Sequence, residues 1–436
     1  MPTKALAAFQ GRFPRLAEDR GFARDVLTIA CSALVAQLVT VAAAPVLARL
    51  YSPDDFGVFG ALIGLGTVLG AMAGLKYELA IVLERSEANA LDALRLVLAV
   101  ATGSALALSF AAIIGGSALG RIPDIKAASL LLLAGPVFAL LFGCSQALSF
   151  WATRHERWAV QGQGELARNV ITAGGQLALG LLAAGPIGLV SGRVLGEIGI
   201  LMRLWRGAGL QRGNSGAGNR LVGDADGARL RSLAGRHRDL ALYQTPRACL
   251  NSALAHLPVL LLVVLASPAI AGLYWFAARL LRMSVAALAN AVRRVFFKGA
   301  VAIHQAGDCT RPFLIRVTLL LGLAGILPML VLAAKGPTMF AFAFGENWRI
   351  AGEYGRWLAI WCWFDLMAAP AGMLISVYAV QRLFFCADLV ATVIGGAALA
   401  LAAANGRFEL AIGLYAAAMA GRSAYSIGFM LMRAAS

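Results

Sequence analysis

Three arginines and one asparagine lie along one face of a strongly apolar segment, "YWFAARLLRMSVAALANAVRRVF" (residues 274–296). At 3.6 residues per turn they share roughly 80° of one helical face, and they are Arg279, Arg282, Asn290 and Arg293. An ionised side chain inside hydrocarbon is costly and usually faces a cavity or a partner. Because a guanidinium donates to two phosphate oxygens at once, this stripe predicts a site for a diphosphate or another anionic head group.

The C-terminal end of the stripe has a second interpretation. Arg293 and Arg294 could extend to the membrane surface, since long basic side chains keep their charged heads in water. We interpret Arg294 in this way and leave both interpretations open for Arg293. Arg279 and Arg282 lie deeper in the segment, and we assign them to substrate binding.

Other apolar segments also carry isolated polar side chains. Gln37 lies in the first segment, and Asn251 and His256 lie in "NSALAHLPVLLL", within reach of the same cavity. His256 is a candidate proton relay, although a lone membrane histidine is more often a hydrogen-bonded packing residue. Asp365 is a second candidate for ion coupling, and it could instead pair with Arg422 in the last apolar segment.

Two further pairs of charges are close in sequence. Lys76 and Glu78 in "GLKYELAIVL" begin a polar loop, where a solvated ion pair and a substrate contact are both possible. Arg193 and Glu197 are four residues apart, so they can pair along one helical face and neutralise each other. We favour a structural role for this second pair.

The composition identifies the setting of these charges. The chain has 436 residues, of which 60% are hydrophobic and 14% are charged, and its mean hydropathy is +0.76. A soluble protein of this composition would expose too much apolar surface, whereas a bilayer removes that problem. We predict an all-α polytopic membrane protein with about twelve transmembrane helices. The predicted spans are 26–48, 56–75, 96–116, 128–150, 167–185, 187–204, 245–266, 269–292, 313–334, 355–377, 384–404 and 409–431.

The net charge of +16 is unevenly distributed. Most Lys and Arg residues fall in alternate loops, on the side that holds both termini, which the positive-inside rule assigns to the cytoplasm. The basic residues are not interleaved with aromatic ones as a nucleic-acid groove requires, so we expect no nucleic-acid partner.

The sequence contains no pattern typical of a metal or nucleotide site. The six cysteines are single and widely spaced, so neither a metal site nor a disulfide framework is indicated, and no cofactor is expected. No GxxxxGK[ST] motif is present. The acidic run Asp224–Asp226 resembles a glycosyltransferase metal motif, but a solvated linker is the favoured interpretation. We assign no catalytic residue.

The two halves of the chain look related. Ser-Ala-Leu at residues 32 and 252 is followed by Ser-Pro-x-x-x-Gly at Ser52–Gly57 and at Ser267–Gly272. An even number of spans between the copies makes them parallel repeats, as in transporters with a central path between two lobes. We therefore predict a cytoplasmic tail (1–25), an N-lobe (26–204), a linker (205–243) and a C-lobe (244–436).

Asp54 and Asp55 follow the first Ser-Pro turn and have two interpretations. Ser52 suits an N-cap and Pro53 the first helical position, and negative charge is favourable in the first turn. The second copy of the turn has no acid, so we favour helix capping over ion coupling for these carboxylates.

Three motifs in order, "LARLYSPDDFGVFGALIGL", "LKYELAIVL" and "FGENWRIAGEY", resemble the polysaccharide transport family of O-antigen and exopolysaccharide flippases. This family belongs to the multidrug/oligosaccharidyl-lipid/polysaccharide exporter (MOP) superfamily. The resemblance covers residues 26–430 and includes "YWFAARLL". One departure is Lys76, which stands where the family usually has arginine, so the charge is kept but the bidentate phosphate geometry is not.

The resemblance implies a MATE-like fold of two six-helix lobes around a central cavity that opens alternately to each side. It implies the flipping of a polyprenyl-diphosphate-linked oligosaccharide across the bacterial inner membrane, with a polysaccharide polymerase or export machinery as a possible partner. In this interpretation Arg279 and Arg282 hold the diphosphate, while Gln37, Asn251 and Asn290 bind sugar hydroxyls.

Two other functions fit a membrane protein of this kind. An ion-coupled exporter of drugs or small molecules would have the same fold, but the predicted interior holds more arginine than acid. A membrane glycosyltransferase or polymerase would need a catalytic group on a sizeable extramembrane loop, and the non-cytoplasmic loops are short. We therefore expect a transporter and not an enzyme.

Overall fold

The chain is helical throughout the part that is described. The computed structural model describes residues 20–119, 125–207, 227–305, 309–378 and 380–434, and it contains α-helices, short turns and no strands in these ranges. Most of the predicted cytoplasmic tail and the acidic run Asp224–Asp226 lie outside the described residues.

Fourteen α-helices lie in the described ranges. In chain order they are α1 (Arg20–Leu50), α2 (Pro53–Ala73), α3 (Glu78–Leu83), α4 (Glu87–Leu119), α5 (Ile125–Arg154), α6 (Trp158–Leu181), α7 (Gly185–Gly207), α8 (Gly227–Arg236), α9 (Thr245–Leu265), α10 (Pro268–Gln305), α11 (Arg311–Phe344), α12 (Arg349–Val377), α13 (Gln381–Ala404) and α14 (Phe408–Arg433). A π-helical turn at Leu240–Gln244 precedes α9, and a 3-10 turn at Glu346–Trp348 precedes α12.

Twelve of the described helices have 21 residues or more, and each overlaps one predicted span. Seven stretches of the described chain are both long and apolar enough to cross a membrane. The other five long helices, α1, α6, α7, α10 and α14, contain no such stretch among the described residues. The prediction of an all-helical multi-pass membrane protein is confirmed, and the count of twelve crossings stays a prediction.

The chain divides into two compact units. Unit 1 comprises residues up to Ala43, Gly66–Leu179 and Val190–Leu250, and unit 2 comprises Ala44–Leu65, Gly180–Leu189 and the remainder from Asn251. In unit 1, α3 packs against α4 and α5. In unit 2, α12 packs against α10, α11 and α14. The lobe boundaries stay a prediction.

Helix α2 begins with a reciprocal cap. Asp55 N–H donates to the Ser52 hydroxyl (3.2 Å), while Ser52 N–H and its hydroxyl donate to the Asp55 carboxylate (2.8 and 2.9 Å). Two backbone donors at the helix start are thereby satisfied. The second copy is simpler, since Ile270 N–H donates to the Ser267 hydroxyl at the start of α10 (3.3 Å). The capping interpretation is confirmed for Asp55.

The two Ser-Pro-x-x-x-Gly motifs pack directly against each other within unit 2. A Cβ atom built on Gly57 would lie 1.8 Å from the Pro268 carbonyl oxygen, and one built on Gly272 would lie 1.9 Å from the Pro53 carbonyl oxygen. The first turns of α2 and α10 therefore cross with their backbones in contact. Only glycine at both positions permits this approach.

Aromatic side chains cover this crossing. Phe56 and Phe276 contact Trp348, with ring centroids 5.2 and 4.3 Å away. Trp348 is 1% exposed, and its indole N–H donates to the Ala48 carbonyl oxygen near the end of α1 (2.8 Å). The motifs "YSPDDFG" and "FGENW" thus form one packed cluster, although almost 300 residues separate them in sequence.

The predicted linker contributes a helix that is attached to unit 1. Helix α8 places Leu233 in the core shared by α3, α4 and α5. Glu84, whose side chain is 8% exposed, accepts hydrogen bonds from His237 (2.8 Å) and Arg236 (3.1 Å). Because His237, and then Asn89 and Arg236, stabilise its charged form more than burial opposes it, the pKa of Glu84 is lowered.

We predict that alanine at Gly57 or Gly272 destabilises the protein by about 3 kcal/mol or more, because the new methyl group forces α2 and α10 apart. The measurement is the midpoint of thermal unfolding in detergent. Gly428→Ala is the matched control, since a Cβ at that helical position meets no atom within 4 Å. Equal stability of Gly57→Ala and the control would contradict the close crossing.

We also predict an acid-sensitive attachment of α8. A carboxylate with a lowered pKa stabilises the folded state above its unfolded pKa, and this contribution is lost as the pH falls through the folded pKa. Amide hydrogen exchange across residues 227–237 should be about tenfold faster in Glu84→Gln than in the unmodified protein at pH 7. The exchange rates of the two proteins should become equal in acid, below the folded pKa of Glu84. A ratio of exchange rates that stays the same at every pH would refute the role of the carboxylate.

Candidate functional site

The two arginines assigned to substrate binding lie on α10 in unit 2, each beside a tryptophan. The Arg279 guanidinium carbon is 4.8 Å from the ring centroid of Trp275, and that of Arg282 is 5.4 Å from the ring centroid of Trp361. A cation over an indole face is attracted by the ring quadrupole, which compensates part of its lost hydration. An indole contacts one face of a guanidinium and not the N–H groups at its edge.

Arg282 connects these cations to other helices of unit 2. Its charge acts electrostatically on His256 of α9, on Cys362 of α12 and on Tyr415 of α14. Arg282 is exposed and Arg279 is half-buried. Helix α10 overlaps the predicted span 269–292, and a guanidinium exposed within such a span is placed to meet a ligand, because hydrocarbon cannot solvate it.

His256 lies where α9 and α2 come close together. A Cβ atom built on Gly64 would lie 3.1 Å from the His256 Cβ. The side chain is half-buried and has an interaction partner. This contact agrees with a packing role, and the relay interpretation stays a prediction.

An acidic pair and a shared arginine join three helices of unit 2. The Arg422 guanidinium of α14 binds Asp365 of α12 (3.0 Å) and Asp388 of α13 (3.4 Å). Ser423 also donates to Asp365 (3.5 Å). The pairing of Asp365 with Arg422 that the sequence allowed is therefore confirmed. In this arrangement two carboxylates share one guanidinium. The side chains of Asp365 and Asp388 are 40% and 49% exposed.

The sum of charges in this part of unit 2 is positive. The three guanidiniums of Arg279, Arg282 and Arg422 exceed the two carboxylates of Asp365 and Asp388. An environment with excess cationic charge attracts anions and repels organic cations. The arrangement therefore suits an anionic ligand.

Arg293 lies further along α10 than the two arginines assigned to the diphosphate. Arg293 is half-buried and is 14 residues beyond Arg279, which is about 21 Å along a helix. One diphosphate cannot contact both residues at once. Asn251 is exposed in the second turn of α9, and the side chain of Asn290 lies outside the described part of the chain.

Lys76 and Glu78 form an ion pair in unit 1, with 3.1 Å between the ammonium and the carboxylate. The pair is not solvated as a surface pair would be, because Glu78 is only 4% exposed. Lys76 and the preceding Leu75 both adopt left-handed backbone conformations, with φ of 57° and 46°. Such consecutive non-glycine conformations persist only where the surrounding structure imposes them, and they concentrate at functional sites. Gln37 is half-buried on α1.

A second charged network joins α6 and α7 in unit 1. Arg193 binds Glu197 (2.5 Å), which confirms the predicted pair, and Arg168 lies 3.8 Å from the same carboxylate. Arg168 also binds Glu165. Two cations and two anions sum to zero, and Glu197 is 1% exposed, so this network has the features of a structural connection.

Sequence reasoning missed Asp388, Glu165 and Arg168. Asp388 and Arg168 are close to the start of their predicted spans, and Glu165 lies two residues before the start of its span, so all three resembled ordinary charges at a membrane boundary. The signal was available, because an ionisable residue within two turns of a predicted membrane segment calls for a partner.

Comparison with known proteins supports the fold and not a particular family. No protein-family model matches the sequence, and no curated protein matches it. Among solved structures, the chain is similar to the lipid II flippase MurJ in an inward closed conformation, with a TM-score of 0.67, 11% identity and coverage of 94% of this chain and 88% of that one.

Two MATE transporters are also similar. An inward-facing multidrug resistance MATE family transporter of the MOP superfamily has a TM-score of 0.60 at 11% identity, covering 92% of this chain and 94% of that chain. The eukaryotic MATE transporter AtDTX14 has a TM-score of 0.52 at 14% identity, with 94% and 97% covered. At these identities the likeness establishes the fold alone, so the chain has a MurJ- and MATE-like fold.

We predict that Arg422→Met lowers the free energy of unfolding of unit 2 by about 1–2 kcal/mol, because Asp365 and Asp388 then repel each other without a cation between them. The partial exposure of both carboxylates limits the size of the effect. The measurement is thermal unfolding in detergent. The triple variant Arg422→Met/Asp365→Asn/Asp388→Asn should recover most of the loss. A triple variant less stable than Arg422→Met would show that the charges are not coupled.

Proposed function

We propose that this protein is a flippase that moves a polyprenyl-diphosphate-linked oligosaccharide from the cytoplasmic to the periplasmic leaflet of a bacterial inner membrane, as a member of the polysaccharide transport family. The observation that carries the proposal is the pair Arg279 and Arg282 on one membrane helix of a transporter-like fold. Such a substrate is an anion inside a membrane, and arginine is the side chain best suited to receive it.

The fold is compatible with this activity. The MurJ structure is named as a lipid II flippase, and it covers most of this chain. A lipid-linked anion presents the same physical problem in both cases, because a charged head group has to cross hydrocarbon while its lipid tail stays there. The likeness supports a lipid-linked substrate for this chain without indicating its sugar.

In the proposed mechanism, Arg279 and Arg282 donate to the diphosphate oxygens. They are three positions apart in sequence, so they project from neighbouring positions on one face of the helix. Trp275 and Trp361 orient the two guanidiniums and reduce the conformational entropy lost on binding. Sugar hydroxyls are assigned to Gln37, Asn251 and Asn290.

Transport in this proposal proceeds by alternating access between an N-lobe (26–204) and a C-lobe (244–436). Lys76 and Glu78 contact the substrate at the cytoplasmic entrance of the proposed cavity. Arg293 attracts the anion further along α10. His256 and Asp365 are the candidates for ion coupling. A polymerase or an export complex for the polysaccharide receives the product on the other side.

A second candidate is an ion-coupled exporter of drugs or other small molecules, since two of the similar structures are MATE transporters. The charge around Arg282 argues against organic cations as its substrates. Transport of organic cations by reconstituted protein, without any effect of lipid diphosphates, would favour this alternative.

We predict that Arg279→Gln and Arg282→Gln each lower flipping at least tenfold, because each removes charge-assisted hydrogen bonds to the diphosphate. Lysine at either position should retain part of the activity, because it keeps the positive charge but cannot donate to two phosphate oxygens in the bidentate geometry of a guanidinium. The measurement is the movement of a lipid-linked oligosaccharide in proteoliposomes, together with complementation of a strain that lacks its own flippase.

The matched control is Arg316→Gln on α11. Arg316 is an exposed arginine that has no assigned role in substrate binding. This variant should transport the lipid-linked oligosaccharide at the rate of the unmodified protein. Full activity of the double variant Arg279→Gln/Arg282→Gln, inserted at normal levels, would overturn the proposed function.

A further inference from the structure

Helix α8 and the turn that follows it form a two-sided segment on unit 1. We name this segment, residues 227–244, the linker platform. One side faces the protein, where Leu230, Leu233 and Ala234 pack against the core of unit 1. The other side is exposed and carries Arg229, Arg231 and Arg238.

The platform is held in one orientation. Glu84 binds both Arg236 and His237 beyond the packed face, and the Tyr77 hydroxyl donates to the Ala234 carbonyl oxygen (3.5 Å). Rotation of the helix would break these contacts and expose Leu233, which is now buried. The basic side is therefore presented outward by the fold itself and not by free rotation of the linker.

The charge of the exposed side is strongly positive. Residues 227–244 contain four arginines and one acid, Asp239. Arg236 is already engaged by Glu84, and the exposed Arg231 and Arg238 still outnumber the single acid Asp239.

The platform leads directly into a membrane-spanning segment. A stretch apolar enough to cross the bilayer begins at Leu240, two residues after Arg238. Leu242 and Tyr243 within the π-helical turn are 62% and 71% exposed. An exposed leucine and tyrosine at the start of a span lie at the level of the lipid head groups, where tyrosine is enriched.

We infer that the linker platform binds anionic phospholipids of the adjacent leaflet, which the charge distribution predicts to be the cytoplasmic one. Its arginines contact the lipid phosphates, while Leu242 and Tyr243 enter the acyl boundary. A cluster of basic residues immediately next to a span, on an amphipathic helix, is the arrangement that anionic lipid surfaces recognise. A soluble acidic partner would explain the arginines but would leave Leu242 and Tyr243 in water.

The experiment compares two lipids added to the full-length protein in neutral detergent, phosphatidylglycerol and phosphatidylcholine with the same acyl chains. Phosphatidylglycerol should raise the midpoint of thermal unfolding by about 3–5 °C more than phosphatidylcholine does. This excess should decline as sodium chloride is raised, because salt screens exposed charges. Native mass spectrometry should show more retained phosphatidylglycerol than phosphatidylcholine.

Two double variants locate the effect. Arg231→Gln/Arg238→Gln should lose the excess shift, and it leaves the contacts of Glu84 with Arg236 and His237 in place. Arg311→Gln/Arg382→Gln removes two exposed arginines from the starts of α11 and α13 and should keep the shift. The salt titration of the unmodified protein tests the same interaction without any substitution.

Several results would overturn the proposal. These are equal stabilisation by both lipids, an excess that survives in Arg231→Gln/Arg238→Gln, and an excess lost equally in the control. Equal stabilisation by inorganic diphosphate would show that the arginines bind phosphate without a bilayer. The inference does not depend on the transported substrate, so a failure of the flipping assay leaves it unaffected.

Discussion

The backbone contact between Gly57 and Gly272 is the constraint on which the organisation of unit 2 depends. It brings the first turns of α2 and α10 closer than any side chain permits, and so it determines where the rest of both helices lie. Trp275 packs against Gly60 because of this crossing, with a Cβ at Gly60 lying 2.7 Å from the indole. The same Trp275 then supports Arg279. A close helix contact at the start of α10 thus positions a cation two turns further along the same helix.

Charge in a low-dielectric setting explains most of the polar architecture. The network of α6 and α7 contains equal numbers of cations and anions, and its most buried member, Glu197, touches two guanidiniums. Unit 2 follows a different rule, since its arginines exceed its acids and two of them lie on indole rings. Neutral networks connect helices, whereas a local excess of positive charge suits an anionic ligand. This contrast separates the structural charges from the candidate site.

Much of the fold was predictable because its causes are local. Hydrophobic length determines the helices, and every predicted span overlaps a long one, although α10 extends thirteen residues past its predicted end. The cap at Ser52 and the pair Arg193–Glu197 are also local, since their partners are within four residues. The partner of Asp388 and the attachment of α8 to Glu84 were not predictable, because each contact joins residues far apart in sequence. The burial of Glu78 has the same cause, as its surroundings come from α4 and α5.

The sequence by itself determined the class of the protein, the direction of the charge bias, the repeated turn and the arginines on α10. These follow from composition and from spacing along one helix, where 3.6 residues per turn decides which side chains share a face. The tertiary structure alone decided which charges meet. It placed Arg422 between two acids from different helices, set Arg282 on Trp361, and packed the two Ser-Pro turns together at their glycines. Spacing along a helix cannot specify such contacts, because they depend on the relative placement of helices that only packing establishes.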